Sequence, residues 1–266
     1  MLRGVGGYRI NHRLHPTQTT EVYEATGPGG HGRMVIRFLD QTPPMLPATK
    51  RACRAELTEV SKLRHPHIAS VLSVDAAPDG VPFLVREHLD GQSLKTYLAD
   101  RIRVDAGQTV QLLIQVALTL ASAHRVRVFH RNLRPSQVFV RDAGGILRLG
   151  KLRGFGLWRL QADPVASAVR RHSFHYLAPE QLEGETQIDG RADQFALAAI
   201  GYRMLSGGDL FPGDDPGAID GVDPALDAVI RRALARRAGD RFPSILAFAT
   251  ALRAAWPGVT IGSARV

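Results

Sequence analysis

The residues able to do chemistry fall in three places. The run His130-Arg131-Asn132-Leu133-Arg134-Pro135-Ser136-Gln137 packs an imidazole, two guanidiniums and two amides into eight positions. An amide such as Asn132 can position a hydroxyl by hydrogen bonding, but it cannot accept its proton as a general base does. Gly154-Phe155-Gly156 follows, and Gly154 has no carboxylate to offer a metal. Upstream, Met34-Val35-Ile36-Arg37 ends on a planar, delocalised cation rather than a compact ammonium. A further stretch, Gly27-Pro28-Gly29-Gly30-His31-Gly32, is a literal G-x-G-x-x-G. It precedes a strand pattern instead of a helix, so it reads as a turn between strands and not as a phosphate cradle.

These residues must be held by elements that hydrophobic periodicity makes visible. Tyr8–His15, Glu21–Thr26 and Arg33–Leu39 read as strands separated by turn residues. Arg51–Arg64 reads as a helix with Leu57, Val60 and Leu63 on one face. Val71–Asp75 and Phe83–His88 are two more strands. From Ser93 onward helices dominate. Val110–His124 carries Leu113, Val116, Ala117 and Leu120 at helical spacing, and Gln194–Leu205 is apolar on nearly all sides. A small β-rich lobe followed by a larger helical lobe is the implied order, an α+β architecture.

Taken together, the motifs resemble the eukaryotic-like, bacterial-type serine/threonine protein kinase family. His130–Gln137 is similar to the catalytic loop H-R-D-L-K-P-x-N, Gly154-Phe155-Gly156 stands where D-F-G belongs, and Ala178-Pro179-Glu180 matches A-P-E. Met34-Val35-Ile36-Arg37 resembles V-A-I-K, Asp193 opens the buried helix, and Arg241-Phe242 lies near the end. The resemblance spans about residues 8–254, and its order and spacing carry it more than any single match. It implies a two-lobed kinase-like fold, with an N-lobe at 8–88, a C-lobe at 93–254 and a short tail at 255–266.

The same resemblance assigns each position a role, and this chain departs from nearly all of them. Phosphoryl transfer needs ATP positioned, Mg²⁺ held and a hydroxyl oriented. The catalytic aspartate is Asn132, the lysine that steadies the transferring phosphate is Arg134, and the two metal ligands are Gln137 and Gly154. The phosphate-pairing lysine is Arg37, while Glu56 keeps the helix carboxylate that would pair with it. The glycines expected before Val22 are His15, Thr17 and Thr20, whose side chains block close backbone approach. In the nucleotide pocket Val22 and Val35 lie above the adenine position and Phe139 takes the floor. Arg86 is the gatekeeper, and Glu87 and Leu89 continue into the hinge. Asp142 reads as part of a solvated turn, not as a replacement carboxylate. Scaffold positions persist: Val60, Val71, His130 and Phe155 match the family's hydrophobic spine, and Glu180 with Arg241 matches its structural ion pair. The span from Ser206 to Ala225 is short for the substrate-docking helix of such kinases.

The expectation is a pseudokinase: a binding, scaffold or regulatory module with little or no phosphotransfer. The alternative is an atypical kinase or other nucleotide transferase with rearranged residues. No cofactor is expected, Mg²⁺ least of all, and ATP finds an altered site. Partners implied by the resemblance are an active kinase or a phosphopeptide-reading domain. Ser167 and Ser173 lie on the activation segment, within reach of the retained Arg131 if phosphorylated. The net charge of +9 does not point to nucleic acid, because the arginines are scattered and no basic run is interleaved with aromatics. Cys53 is the only cysteine, no apolar run suggests a membrane span, and a cytoplasmic location is the default expectation.

Overall fold

The computed structural model describes residues 4–14, 21–30, 32–39, 47–78, 80–157, 174–185, 187–210 and 215–258. Its contacts divide the chain into two compact units, Met1–Asp90 with Phe155–Arg171, and Gly91–Gly154 with His172–Val266.

In the first unit six strands form one antiparallel sheet: β1 (Gly4–Val5), β2 (Tyr8–Arg13), β3 (Val22–Thr26), β4 (Arg33–Phe38), β5 (Val71–Ala76) and β6 (Pro82–Glu87), in the order β1-β2-β3-β4-β6-β5. Period-2 alternation sorts their side chains onto two faces. Ala25, Ile36, Phe38, Phe83 and Val85 pack together on one. On the other, Leu84 and Leu39 meet Leu57 of helix α1 (Pro47–Ser61) and Leu157. The helix begins and ends earlier than the sequence pattern predicts. Pro47 suits a first helical position, and Pro66 disfavours helical backbone at His65. The glycine-rich stretch at Gly27–Gly32 is a β3–β4 turn, with Gly29 at φ 78° and a hydrogen bond from the Gly30 N–H to the Gly27 carbonyl.

The second unit holds strands β7 (Gln92–Ser93), β8 (Val138–Ala143) and β9 (Ile146–Leu152) in a small antiparallel sheet. Around it lie helices α2 (Leu94–Ala99), α3 (Ala106–His124), α4 (Pro179–Leu182), α5 (Gly190–Ser206), α6 (Pro224–Ala233) and α7 (Ile245–Ala255). Side-chain caps start the longer helices: Asp105 accepts from the Gln108 N–H, Asp189 from Arg191, Asp223 from Ala225, and Ser244 from Ala247. Among the described residues α3 alone is long and apolar enough, by length and composition, to cross a membrane. Leu112, Leu113, Val116, Ala117 and Leu120 of α3 are buried in the core of this unit instead. Asp142 and Gly145 close the β8–β9 turn, the Gly145 N–H donating to Asp142 Oδ1 at 3.1 Å, so Asp142 is a solvated turn residue. Among the described residues between α5 and α6 no helix forms.

Candidate functional site

In the first unit the sheet brings several expected residues onto one face. Val22 pairs with Arg37 across β3–β4, and Arg37 pairs with Leu84 across β4–β6, where Val35 faces Arg86. Arg37 and Arg86 are therefore diagonal neighbours on the face that α1 covers. Arg86 Nη1 donates to the carbonyl of Glu87 at 3.2 Å, and Glu87 Oε1 accepts the Ser70 N–H at 2.7 Å. Leu89 is buried beyond the end of β6. Glu56 sits beside Leu57 on α1, and its Oε2 is shielded from solvent, as is Nε of Arg37.

Sequence reasoning passed over Glu24. It faces Val35, is buried, and pairs with Arg33 at 2.7 Å and His88 at 3.7 Å. The hydrogen bond from Arg33 is the main reason its pKa falls below the usual carboxylate value. A lone glutamate amid alternating strand residues gave no signal for this. His15, Thr17 and Thr20, at the expected glycine-loop positions, lie outside the described residues, as do Ser167 and Ser173.

In the second unit Asp193 organises the loop that carries Asn132. It is fully buried in the first turn of α5, and its Oδ2 takes the His130 N–H at 2.8 Å and its Oδ1 the Arg131 N–H at 2.6 Å. His124 Nε2 lies 2.8 Å from Oδ2. Burial works to raise the Asp193 pKa, but the hydrogen bond and charge of His124, with His130, bring it below the ordinary value. Those two amide bonds hold Arg131 at φ 57°, a left-handed conformation that costs a non-glycine residue free energy.

His130 then joins two other segments. Its Nδ1 accepts the Asn132 N–H at 3.3 Å, which leaves Nε2–H to donate to the Arg153 carbonyl at 3.0 Å. Desolvation holds its pKa down, against Asp193, so the ring is neutral. Asn132 is buried, and among the described residues its side-chain Nδ2 has no acceptor.

The two positions expected to hold metal meet each other instead. Gly154 has φ 97°, and a Cβ there would come within 2.9 Å of Gln137 Oε1 and Cδ. The buried Gln137 amide thus fills the space beside a residue that has no side chain. Gly156 likewise packs close, since a Cβ would meet Leu57 Cδ2 at 3.0 Å on α1. Neither amide nor glycine brings the anionic oxygens that Mg²⁺ requires, so these residues do not fit that ion. Among the described residues no group of three or more histidines, cysteines or acidic residues comes together.

Phe139, expected as a pocket floor, lies under the guanidinium of Arg153, 4.8 Å from ring centroid to Cζ. Arg153 was not foreseen, although a cation directly before Gly154 was a visible signal. Its Nε and Nη2 both donate to the Ser136 carbonyl, at 3.2 and 3.0 Å. Burial, and secondarily the charge of Arg134, brings its pKa down to about 10. Burial lowers that of Arg134 as well.

The structural ion pair is present. Glu180 takes two bonds from Arg241, Nη1 to Oε1 at 2.7 Å and Nη2 to Oε2 at 2.8 Å. Arg241 also donates to the carbonyls of Ala235, Arg191 and Arg236, so all five of its N–H groups are used.

Residues 18–230 match the family model described as a protein kinase domain. The chain is 32% identical over 269 residues to serine/threonine-protein kinase Pkn1 of Myxococcus xanthus, a match covering 94% of this chain and 38% of Pkn1. It is 26% identical over 258 residues to PknB of Mycolicibacterium smegmatis, covering 88% of this chain and 40% of that protein. The chain therefore spans about two fifths of the length of these curated relatives. Among solved structures, the PknI kinase domain of Mycobacterium tuberculosis superposes with a TM-score of 0.77 at 28% identity, over 95% of this chain and 97% of that one. Fold, motif order and these matches agree, and the chain belongs to the bacterial-type serine/threonine protein kinase family.

Proposed function

We propose that this domain is a pseudokinase, a binding or regulatory module that performs little or no phosphotransfer. One observation carries the reading: where the family places carboxylates and an asparagine, the chain has Asn132, Gln137 and Gly154, and the Gln137 amide occupies the space beside Gly154. Without a base, transfer loses roughly 10²–10⁴ in rate, and loss of the metal ligands adds to this. Mg²⁺ is not part of this reading, and a cytoplasmic setting is. The scaffold, by contrast, is intact in the Asp193 and Arg241 networks. A protein partner, an active kinase or a phosphopeptide-reading domain, would bind outer surfaces such as α1 or the connection between α5 and α6.

The names of the relatives favour a second reading, a serine/threonine kinase that works with rearranged residues. Incubation with γ-labelled ATP and Mg²⁺ or Mn²⁺ separates the two. The pseudokinase reading expects no time-dependent label on the protein or on generic substrates. Incorporation that disappears in Asn132→Ala or Arg37→Ala would overturn it. A partner recovered by pull-down should still bind those two variants.

A further inference from the structure

The small sheet of the second unit sets two like charges directly against each other. Arg141 of β8 and Arg148 of β9 are Cα partners, and both are exposed. Residues so paired point to the same face with Cα atoms about 4.5–5.5 Å apart, and like charges there are destabilising. Among the described residues neither guanidinium makes an ion pair or a hydrogen bond. The adjacent acid, Asp142, does not answer them. It alternates onto the other face with the buried Leu147, and its Oδ1 accepts the Gly145 N–H. The strands are also held in place. Gln115 Oε1 of α3 accepts the Leu149 N–H at 2.7 Å, and Gln108 Nε2 donates to the Gly145 carbonyl at 2.7 Å. On the β7 side, Gly91 comes so near that a Cβ would lie 2.7 Å from the Val140 carbonyl oxygen. Arg141 Cγ lies 3.6 and 3.9 Å from where Cβ atoms of Gly91 and Gly150 would stand. Its stem therefore runs over two residues without side chains, on an open face, with its charge toward water.

We infer that Arg141 and Arg148 form a docking site for a phosphorylated serine or threonine on a protein partner. A phosphomonoester carries a charge of about −1.5 to −2 at neutral pH and three strong acceptor oxygens. Two guanidiniums from neighbouring strands match that charge, and each can fork onto the oxygens. A single carboxylate brings less charge and fewer acceptors, and leaves one arginine uncompensated. The site stands on an open face, so the phosphate must arrive on a chain that brings its own contacts. Ile146, exposed and next along the same face, offers that chain an apolar contact. Nucleic acid fits less well. Phe139, the aromatic residue of this face, already has its ring stacked under the Arg153 guanidinium and is not open to a base.

The inference rests on the proposed function only in that the domain has a protein partner, and it names that partner's chemistry. Its test is fluorescence anisotropy with a labelled peptide, one central phosphoserine flanked by glycine and serine. The same peptide with serine or glutamate at the centre and a single-stranded oligonucleotide are the controls. The phosphopeptide should bind with Kd of about 0.1–1 mM at low salt and weaken as salt rises. Arg141→Gln and Arg148→Gln should each weaken it about fivefold or more, the double variant should not bind, and Arg148→Lys should keep part of the affinity. Without ligand, Arg148→Gln should melt about 1–3 °C higher, because one of two opposed like charges is gone. A lower melting temperature for that variant would make the pair a structural contact and overturn the inference. So would equal binding of the serine or glutamate peptide, undiminished binding by the double variant, tighter arginine-dependent binding of the oligonucleotide, or no binding at millimolar phosphopeptide. None of these outcomes bears on phosphotransfer. Label transfer from ATP overturns the pseudokinase reading instead, and phosphopeptide binding alongside it leaves this site standing.

Discussion

The side-chain amide of Gln137 lies against Gly154 so closely that a Cβ at position 154 would sit 2.9 Å from its Oε1. The two departures from the kinase pattern are thus one packing solution: the longer amide is accommodated because the neighbouring carboxylate is gone. Restoring Gly154→Asp alone should destabilise the protein by about 1–3 kcal/mol, from overpacking and from the φ of 97°. Gln137→Asn in the same chain should recover part of that loss. A double-mutant cycle by chemical denaturation measures the coupling, and identical costs of Gly154→Asp in both backgrounds would show that the contact does not matter.

Glu180 and Arg241 are both buried and share two short hydrogen bonds. Glu180→Ala leaves a guanidinium without its anion in the core, which costs roughly 3–5 kcal/mol. A markedly lower melting temperature is expected. An unchanged one would contradict the burial of this pair.

His130 makes stability sensitive to acid. Burial lowers its pKa in the folded protein, so between the folded and unfolded values the unfolded chain binds more protons. Its stabilising neutral state is fully effective above about 6.5, the ordinary histidine value, and is lost as pH falls toward the folded pKa. A proton on Nδ1 would also face the Asn132 N–H it now accepts. Stability should decline below that pH by at most about 1.4 kcal/mol per unit from this group. His130→Phe should melt lower at neutral pH but show a flatter profile between pH 5 and 7. Asp193, also lowered, contributes in the same direction only at pH values below the carboxylate range.

Arg37 and Arg86 share the sheet face that α1 covers, and Glu56 on α1 has a solvent-shielded carboxylate oxygen. The expected arrangement is one carboxylate flanked by two guanidiniums, which would hold α1 against the sheet without nucleotide. A Glu56→Ala, Arg86→Ala cycle should give a coupling above about 0.5 kcal/mol. A coupling near zero would place Arg86 toward solvent.

The sequence alone determined the family and most of the elements. Alternation in the strands, helical spacing in 110–124, and the order of motifs from Arg37 to Arg241 are local or linear properties, and each reports directly on the fold. By resemblance it also led to the expectation that Asn132, Gln137 and Gly154 depart from the family pattern, which is a matter of residue identity. Tertiary structure decided how these residues meet their neighbours. That Gln137 fills the space beside Gly154, that His130 bridges Asn132 and Arg153, and that Arg153 lies over Phe139 depend on side chains meeting across turns and strands. Glu24 was equally illegible, since its partners Arg33 and His88 are joined to it by sheet register and not by sequence spacing. Hydrophobic pattern encodes which face is buried. Which polar atoms then share that burial follows only from distances between segments far apart in the chain.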